Sequence, residues 1–380
     1  MKQVKILHCA DIHMESNLKN IGRKGNERKA EIKNTFSKII KICQTSQVQL
    51  LLIAGDLFDN LHISEEVLEE LRGELEQLKD VVVAIAPGNH DPYTPDSPYA
   101  RKDFWPDHVI IFKKNMEYVE LDSLQVRLFG GGFTKAYETE SFLRQIPVKA
   151  DDYINIGVFH GLVGSPEQKT GYHPITEEEI KNSRLDYLAL GHIHERTGIK
   201  KIGDTYYAYS GCPEGRGFDE LGEKGFYLGT VAKGSVDLKF VTICRRMHLL
   251  QEVDVTGSFT AGEMVSAIRK KLQETHGDSY GEHLYKIIIK GTLPDQVFVR
   301  TDEIKAGLEE LYFVKIKDDT EIEIDFDAAA KEMTLRGIFI RKMLERLENP
   351  KNKESEIKKI NMALKLGIKA FSREVKYHEN

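Results

Sequence analysis

Val48-Gln49-Leu50-Leu51-Leu52-Ile53-Ala54-Gly55-Asp56-Leu57-Phe58-Asp59 is an aliphatic run that ends on a glycine followed by two carboxylates. Seven residues with almost no polar interruption read as a strand buried on both faces, the kind found inside a parallel, helix-covered sheet. The same arrangement recurs four times. Val4 to Ala10 leads into Asp11-Ile12-His13, Val81 to Ala86 into Gly88-Asn89-His90-Asp91, Tyr153 to Phe159 into His160-Gly161, and Asp186 to Leu190 into Gly191-His192-Ile193-His194. Layered α/β sheets collect ligands outside the carboxyl ends of their strands, where loops converge on a rigid base. Five polar motifs at that position therefore predict one pocket. Gly55, Gly88 and Gly191 stand where a tight turn and close backbone approach call for a missing side chain.

The rest of the chain is organised around this pattern. From Met1 to about Cys244, strands alternate with amphipathic helices over Glu27 to Cys43 and Ser64 to Leu78, with Ser64 as N-cap and Glu65 and Glu66 in the first turn. Thr205 to Tyr209, Phe226 to Val231 and Val236 to Ile243 read as strands, the last two joined through Lys233-Gly234. Residues 1–245 are thus expected to form an αβ sandwich. A strand-helix-strand-helix-strand order then predicts a small α+β domain over 246–326: Leu249 to Val255, Ala261 to Glu274, His283 to Lys290, Thr301 to Glu310 and Leu311 to Lys317. Residues 327–380 read as helical with a break at Asn349-Pro350. Ile357, Ile360, Leu364, Ile368, Phe371 and Val375 form a three-four seam, which either covers the protein's own core or takes a partner helix.

Composition narrows the function. With 380 residues, 41% of them hydrophobic, the chain can bury a large core. Its 54 basic and 60 acidic residues leave a net charge of −6, so contact with nucleic acid would need a local patch or bound cations. Cys9, Cys43, Cys212 and Cys244 form no CxxC pair, and no long apolar span occurs, so a soluble cytoplasmic protein without a membrane segment is expected. No Gly-x-x-x-x-Gly-Lys-Ser/Thr sequence is present, so any ATP hydrolysis must come from a partner.

The motif side chains are carboxylates, imidazoles and one amide. Such a set favours Mn, Fe or another borderline divalent ion over a closed structural zinc site. Asp11, His13 and His194 are assigned to one ion and Asn89, His160 and His192 to a second, with Asp56 shared. Two ions so bridged suit displacement at phosphorus. His90 is placed to protonate the leaving oxygen, oriented by Asp91.

These motifs, with Leu7-His8-Cys9-Ala10 before the first and Tyr209-Ser210-Gly211-Cys212-Pro213-Glu214-Gly215-Arg216 after the last, resemble the calcineurin-like metallophosphoesterase superfamily. More narrowly, the chain is similar to SbcD-type DNA repair exonucleases of the bacterial YhaO-like branch. The resemblance implies a four-layer αββα sandwich followed by a capping domain and C-terminal helices. It also implies a Mn-dependent 3′–5′ exonuclease and single-strand endonuclease, with Mg, Fe or Zn as alternative ions, and a coiled-coil ATPase of the SbcC type bound by the terminal helices. A homodimer is an open alternative. Asp59, where archaeal and eukaryotic members carry histidine, is expected to support its loop or a neighbouring ligand, and Glu15 to add a carboxylate near the substrate path.

Lys19, Arg23, Lys24, Arg28 and Lys29 could meet DNA phosphates or simply be solvated, and Gly215-Arg216-Gly217 reads as a turn. Tyr93, Tyr99, Phe104 and Trp105 could stack on bases but fit a packed, proline-stiffened loop better. The alternatives are a protein or small-molecule phosphoesterase and a metal-free scaffold. Asp59 is followed by Asn60 and His90 by Asp91, not by the arginine and glutamate of protein phosphatases, which favours a diesterase.

Overall fold

The computed structural model describes residues 2–147, 151–164, 171–294, 297–349 and 353–372. Val375 and the side chain of Lys19, both singled out in the sequence, lie outside the described residues. The chain divides into two compact units, Met1–His248 and Leu249–Asn380.

In the first unit the strands are β1 (Gln3–Cys9), β2 (Leu50–Ile53), β3 (Val82–Ile85), β4 (Val109–Ile111), β5 (Glu117–Leu121), β6 (Val126–Gly131), β7 (Ile154–His160), β8 (Leu162–Val163), β9 (Pro174–Ile175), β10 (Tyr187–Gly191), β11 (Lys200–Ile202), β12 (Thr205–Tyr209), β13 (Gly225–Ala232) and β14 (Ser235–Thr242). One six-stranded sheet has the order β14-β13-β1-β2-β3-β4 and the other β11-β12-β10-β7-β6-β5. Strands β1 to β4 are mutually parallel, as are β6, β7, β10 and β12. The motif-bearing ends therefore fall together at one edge of each sheet.

Alternation decides which side chains meet. Val4, Ile6, Leu50, Leu52 and Ala84 of the first sheet share one buried cluster with Leu128, Ile156, Val158, Tyr187 and Ala189 of the second. Leu7, Leu51, Ile53 and Val83, one residue out of step, are equally buried. They need an outer layer, and the amphipathic helices α1 (Gly25–Thr45) and α2 (Glu65–Glu76) bring Ile32, Phe36, Ile39, Ile40, Leu68, Leu71 and Leu75 for it. The Ser64 cap is present, its Oγ accepting from Val67 N at 3.4 Å. On the far side, Phe129, Phe159, Leu188 and Leu190 pack with Ile180 of α3 (Glu177–Ser183) and with Phe142 and Leu143. The result is the expected αββα sandwich.

The second unit opens on β15 (His248–Asp254), which joins β16 (Leu284–Lys290) and β18 (Phe313–Asp318) in a three-stranded sheet, while β17 (Thr292–Pro294) pairs with β19 (Glu321–Glu323). Helices α4 (Ala261–His276) and α5 (Thr301–Ala306) close its core through Met264, Ile268, Leu272 and Ile304. Helix α5 is shorter than the sequence predicted: it gives way at Gly307, where a Cβ would come within 2.7 Å of Val265 Cγ2. Next come α6 (Phe326–Lys331), α7 (Leu335–Leu347) and α8 (Glu354–Ser372). The middle of the terminal stripe is turned inward, with Leu364, Ile368 and Ile360 packed against Ala329, Ile340 and Met343, while Ile357 and Phe371 at its ends are exposed. Met362 and Leu366 on the same helix are 65% and 57% exposed.

Candidate metal centre

Backbone geometry at the motif loops is unusual before any side chain is considered. Asp11 (φ 53°), His13 (φ 51°), Asp56 (φ 50°) and His192 (φ 100°) all lie in the left-handed region that non-glycine residues rarely occupy. Such strain persists where the surroundings over-determine it, commonly at functional sites. Here hydrogen bonds zip the first two loops together: Asp11 N to Gly55 O at 3.0 Å, His13 N to Asp56 O at 3.0 Å and Met14 N to Leu57 O at 2.9 Å. The glycines are needed for contact between the sheets. A Cβ on Gly55 (φ 95°) would stand 2.1 Å from His160 Nδ1, and one on Gly191 1.9 Å from Ala54 O.

All seven expected ligands meet. Asp56 Oδ2 lies 3.6 Å from His13 Nε2 and 3.4 Å from His160 Nε2, between the two proposed ion positions. Around one position, His13 Nε2 and His194 Nε2 are 3.2 Å apart and Asp11 Oδ1 is 3.7 Å from His194 Nε2. Around the other, Asn89 Oδ1 lies 3.0 Å from His160 Nε2 and 3.2 Å from His192 Nδ1. Asp11, His13, Asp56 and His160 are buried. Two ring nitrogens facing each other at 3.2 Å, beside buried carboxylates, need a shared cation or a proton, and the oxygen and nitrogen donors fit borderline divalent ions. The residues present therefore fit the two-ion assignment.

Electrostatics agree with a cation site. Burial pushes the Asp56 carboxyl up, but His160 and His13 beside it outweigh that and hold it well below the usual carboxylate range. Burial disfavours charge on His160, yet the Asp56 and Asp11 carboxylates raise its pKa to about 9, so without metal this ligand holds a proton. Burial and the neighbouring His160 push His192 down to about 4.

Surrounding groups sort the remaining expectations. Asp59 Oδ1 is 3.1 Å from His13 Nδ1, on the side of the ring away from the site. His90 is exposed; its Nδ1 meets the Asp59 carbonyl at 3.0 Å and its ring lies 4.8 Å from that of His13. Asp91 does not orient His90, contrary to the sequence reading. Its buried carboxylate accepts from Gly88 N at 2.7 Å, Phe58 N at 3.0 Å and Tyr99 Oη at 2.6 Å, tying two motif loops together. Burial and the nearby Asp56 raise its pKa to about 6. Glu15 is likewise engaged elsewhere, accepting from Ser64 N at 2.8 Å and Ser64 Oγ at 2.9 Å to pin the start of α2.

The basic cluster does not act as a unit. Lys24 pairs with Glu27 at 3.3 Å and Arg23 is exposed, but Arg28 is buried against Glu214 at 2.8 Å and is unavailable to DNA. A long arginine on the buried face of α1 reaches inward because a carboxylate waits there. Tyr99, Trp105, Phe58 and Phe104 meet one another in tilted and edge-on contacts as a packed loop. Gly215-Arg216-Gly217 is more than a turn: Arg216 reaches Asp59 at 2.8 Å, Glu220 at 3.2 Å and His194 Nδ1 at 3.2 Å. Glu220, whose Oε1 lies 2.6 Å from His194 Nδ1, was not singled out in the sequence at all. Its only sequence cue is its place shortly after the Cys212-Pro213-Glu214-Gly215-Arg216 tract.

The calcineurin-like phosphoesterase profile matches residues 4–196, which spans all seven expected ligands. The chain belongs to the calcineurin-like phosphoesterase family. It is 24% identical over 352 residues to the uncharacterized metallophosphoesterase YhaO of Bacillus subtilis, covering 85% of this chain and 83% of that protein. It is 25% identical to the DNA double-strand break repair protein Mre11 of Methanopyrus kandleri, covering 88% and 77%. It is 22% identical to the D component of the nuclease SbcCD of Staphylococcus saprophyticus, covering 73% and 77%. This family member is a metal-dependent phosphodiesterase, a hydrolase whose site holds Asp and His clusters suited to divalent ions. Among the described residues no helix is long and apolar enough to cross a membrane.

Proposed function

We propose that the chain cleaves DNA phosphodiester bonds as a 3′–5′ exonuclease and single-strand endonuclease in cytoplasmic DNA repair, with Mn as the working metal. The observation that carries this reading is the convergence of all seven ligands on one pocket in a chain that matches the D component of SbcCD and Mre11 over most of their length. Asp11, His13 and His194 would hold one ion and Asn89, His160 and His192 the other, with Asp56 between them. Bound there, two divalent ions would supply Lewis-acid charge for displacement at phosphorus. His90 is the proton donor to the leaving oxygen in this reading: its Nδ1 meets the Asp59 carbonyl at 3.0 Å, which leaves Nε2 as the ring atom for proton transfer. A coiled-coil ATPase is the proposed partner, docking on the terminal helices, where Met362 and Leu366 present apolar surface.

End-labelled single- and double-stranded DNA, incubated with Mn or Mg, tests the reading. Stepwise loss from the 3′ end with Mn, abolished in Asp56→Asn, supports it. A wild-type chain that hydrolyses a generic diester but leaves both DNAs intact removes the nuclease reading and leaves a small-molecule diesterase.

A further inference from the structure

Each ion position has two imidazoles and the shared Asp56, with the Asp11 carboxylate added at the first and the Asn89 amide at the second, and the two differ further behind these side chains. His13 Nδ1 lies 3.1 Å from Asp59 Oδ1, and that same oxygen accepts from Arg216 Nη1 at 2.8 Å. Arg216 Nη2 donates to Glu220 Oε1 at 3.2 Å, and Glu220 Oε1 lies 2.6 Å from His194 Nδ1. His194 Nε2 then faces His13 Nε2 across the site at 3.2 Å. The five side chains form a closed ring around one ion position. Arg216 is itself fixed, since its own N donates to Glu220 Oε2 at 2.6 Å and the preceding Glu214 is gripped by Arg28 and Thr35, each at 2.8 Å. The second position has neutral support instead: the Ala54 carbonyl 3.0 Å from His160 Nδ1, and the Tyr172 ring 4.9 Å from that of His192.

We propose that Arg216 is a positioning residue that fixes both histidines of the first ion at once, so that this ion is held more tightly and exchanges more slowly than the second. A carboxylate on the outer nitrogen of a ligating imidazole holds the proton there, leaves the inner lone pair for the metal and raises its basicity. Glu220 is hydrogen-bonded to His194 in this way and the Asp59 carboxylate stands 3.1 Å from His13 Nδ1, but two carboxylates around one small site repel and would drift apart. The guanidinium joins them because its planar fork reaches two carboxylates in fixed directions, which the single ammonium of lysine cannot do. Two carboxylates with one guanidinium also leave net negative charge behind the first ion position.

The inference rests on the two-ion reading of the site and not on DNA as substrate. Calorimetric titration of the metal-free full chain with Mn, followed by electron paramagnetic resonance of the Mn-loaded protein, tests it without an activity assay. Wild type is expected to take up one ion tightly and one weakly. In Arg216→Met the tight site weakens about 10- to 100-fold, the usual cost of losing an outer-shell partner, while the weak site is unchanged. The spin-coupled pair signal, which in the wild type appears as the second equivalent of Mn is added, then needs a larger excess of Mn to appear. Arg216→Lys is expected to behave like Arg216→Met, because charge without the fork does not rebuild the ring. Should Arg216→Met fail to fold, Asp59→Asn opens the same ring at another link and must weaken the same site. Unaltered affinities, equal loss at both sites, or full rescue by lysine each overturn the proposal. A wild-type chain that takes up no Mn overturns the two-ion reading itself.

Discussion

Replacing Arg28 with methionine tests the most deeply buried charge pair near the site. The side chains of Arg28 and Glu214 are each 1% exposed, joined at 2.8 Å, and Arg28 Nη2 also donates to the Gly215 carbonyl at 2.8 Å. Burial pushes the Glu214 carboxyl up even with Arg28 beside it, so without the guanidinium the carboxylate becomes an unpaired charge. Breaking such a pair from one side costs about 3–5 kcal/mol. For a unit of this size, that corresponds to a melting temperature lower by about 6–20 °C. Trp105 is the only tryptophan in the chain and lies in the first unit, so its fluorescence follows that unit alone through a thermal or urea transition. Adding Glu214→Gln to Arg28→Met should recover part of the loss, because the amide oxygen still accepts from Thr35 Oγ1 but carries no charge. A single-mutant loss below about 1 kcal/mol, or no recovery in the double mutant, would refute the reasoning.

Other outcomes follow from the same structure. His8, His173 and His248 are buried, and burial pushes them to about 3, 4 and 4, so the folded chain stays unprotonated where the unfolded chain takes up protons. Their contribution is complete above pH 6.5 and shrinks as pH falls toward 4, by about 1.4 kcal/mol per histidine per pH unit. His160, raised to about 9, works in the opposite sense: its contribution is complete below pH 6.5 and is lost only as pH rises toward 9, so it adds little slope on the acid side. The Trp105 urea midpoint should therefore drop steeply between pH 6.5 and 5.5, and a flat profile would count against the buried neutral rings. His90→Ser should keep both ions by calorimetry while lowering turnover about 10²- to 10⁴-fold, the usual worth of a general acid; unchanged turnover excludes that role. Leu366→Lys, at an exposed position of α8, should leave melting unchanged and abolish capture of the coiled-coil ATPase, whereas Leu364→Lys should destabilise the second unit. Retained capture by the folded Leu366→Lys chain moves the docking face elsewhere.

The expected ligands were legible because each sits between the last residue of a strand and four residues past it, a position set by local chain direction and by glycines at the turns. Val82–Ile85 and Ile154–His160 start or stop within a residue or so of the apolar runs that announced them. The supporting residues were not legible in this way. Asp91 looked like a partner for its neighbour His90, yet a buried carboxylate takes whichever N–H groups the fold leaves unpaired, here Gly88 and Phe58. Arg28 looked like one more surface cation until α1 turned it toward Glu214, 186 residues away.

Strand periodicity and turn chemistry are local and each motif carries both, so the order of residues alone was enough to place carboxylates and imidazoles at the ends of β-strands along a common rim. Only the tertiary structure decided which groups stand behind those ligands. The Arg216 fork, the Glu220 contact on His194 and the inward face of α8 depend on packing between segments far apart in the chain, and side-chain pairing across such distances leaves no periodic trace in the order of residues.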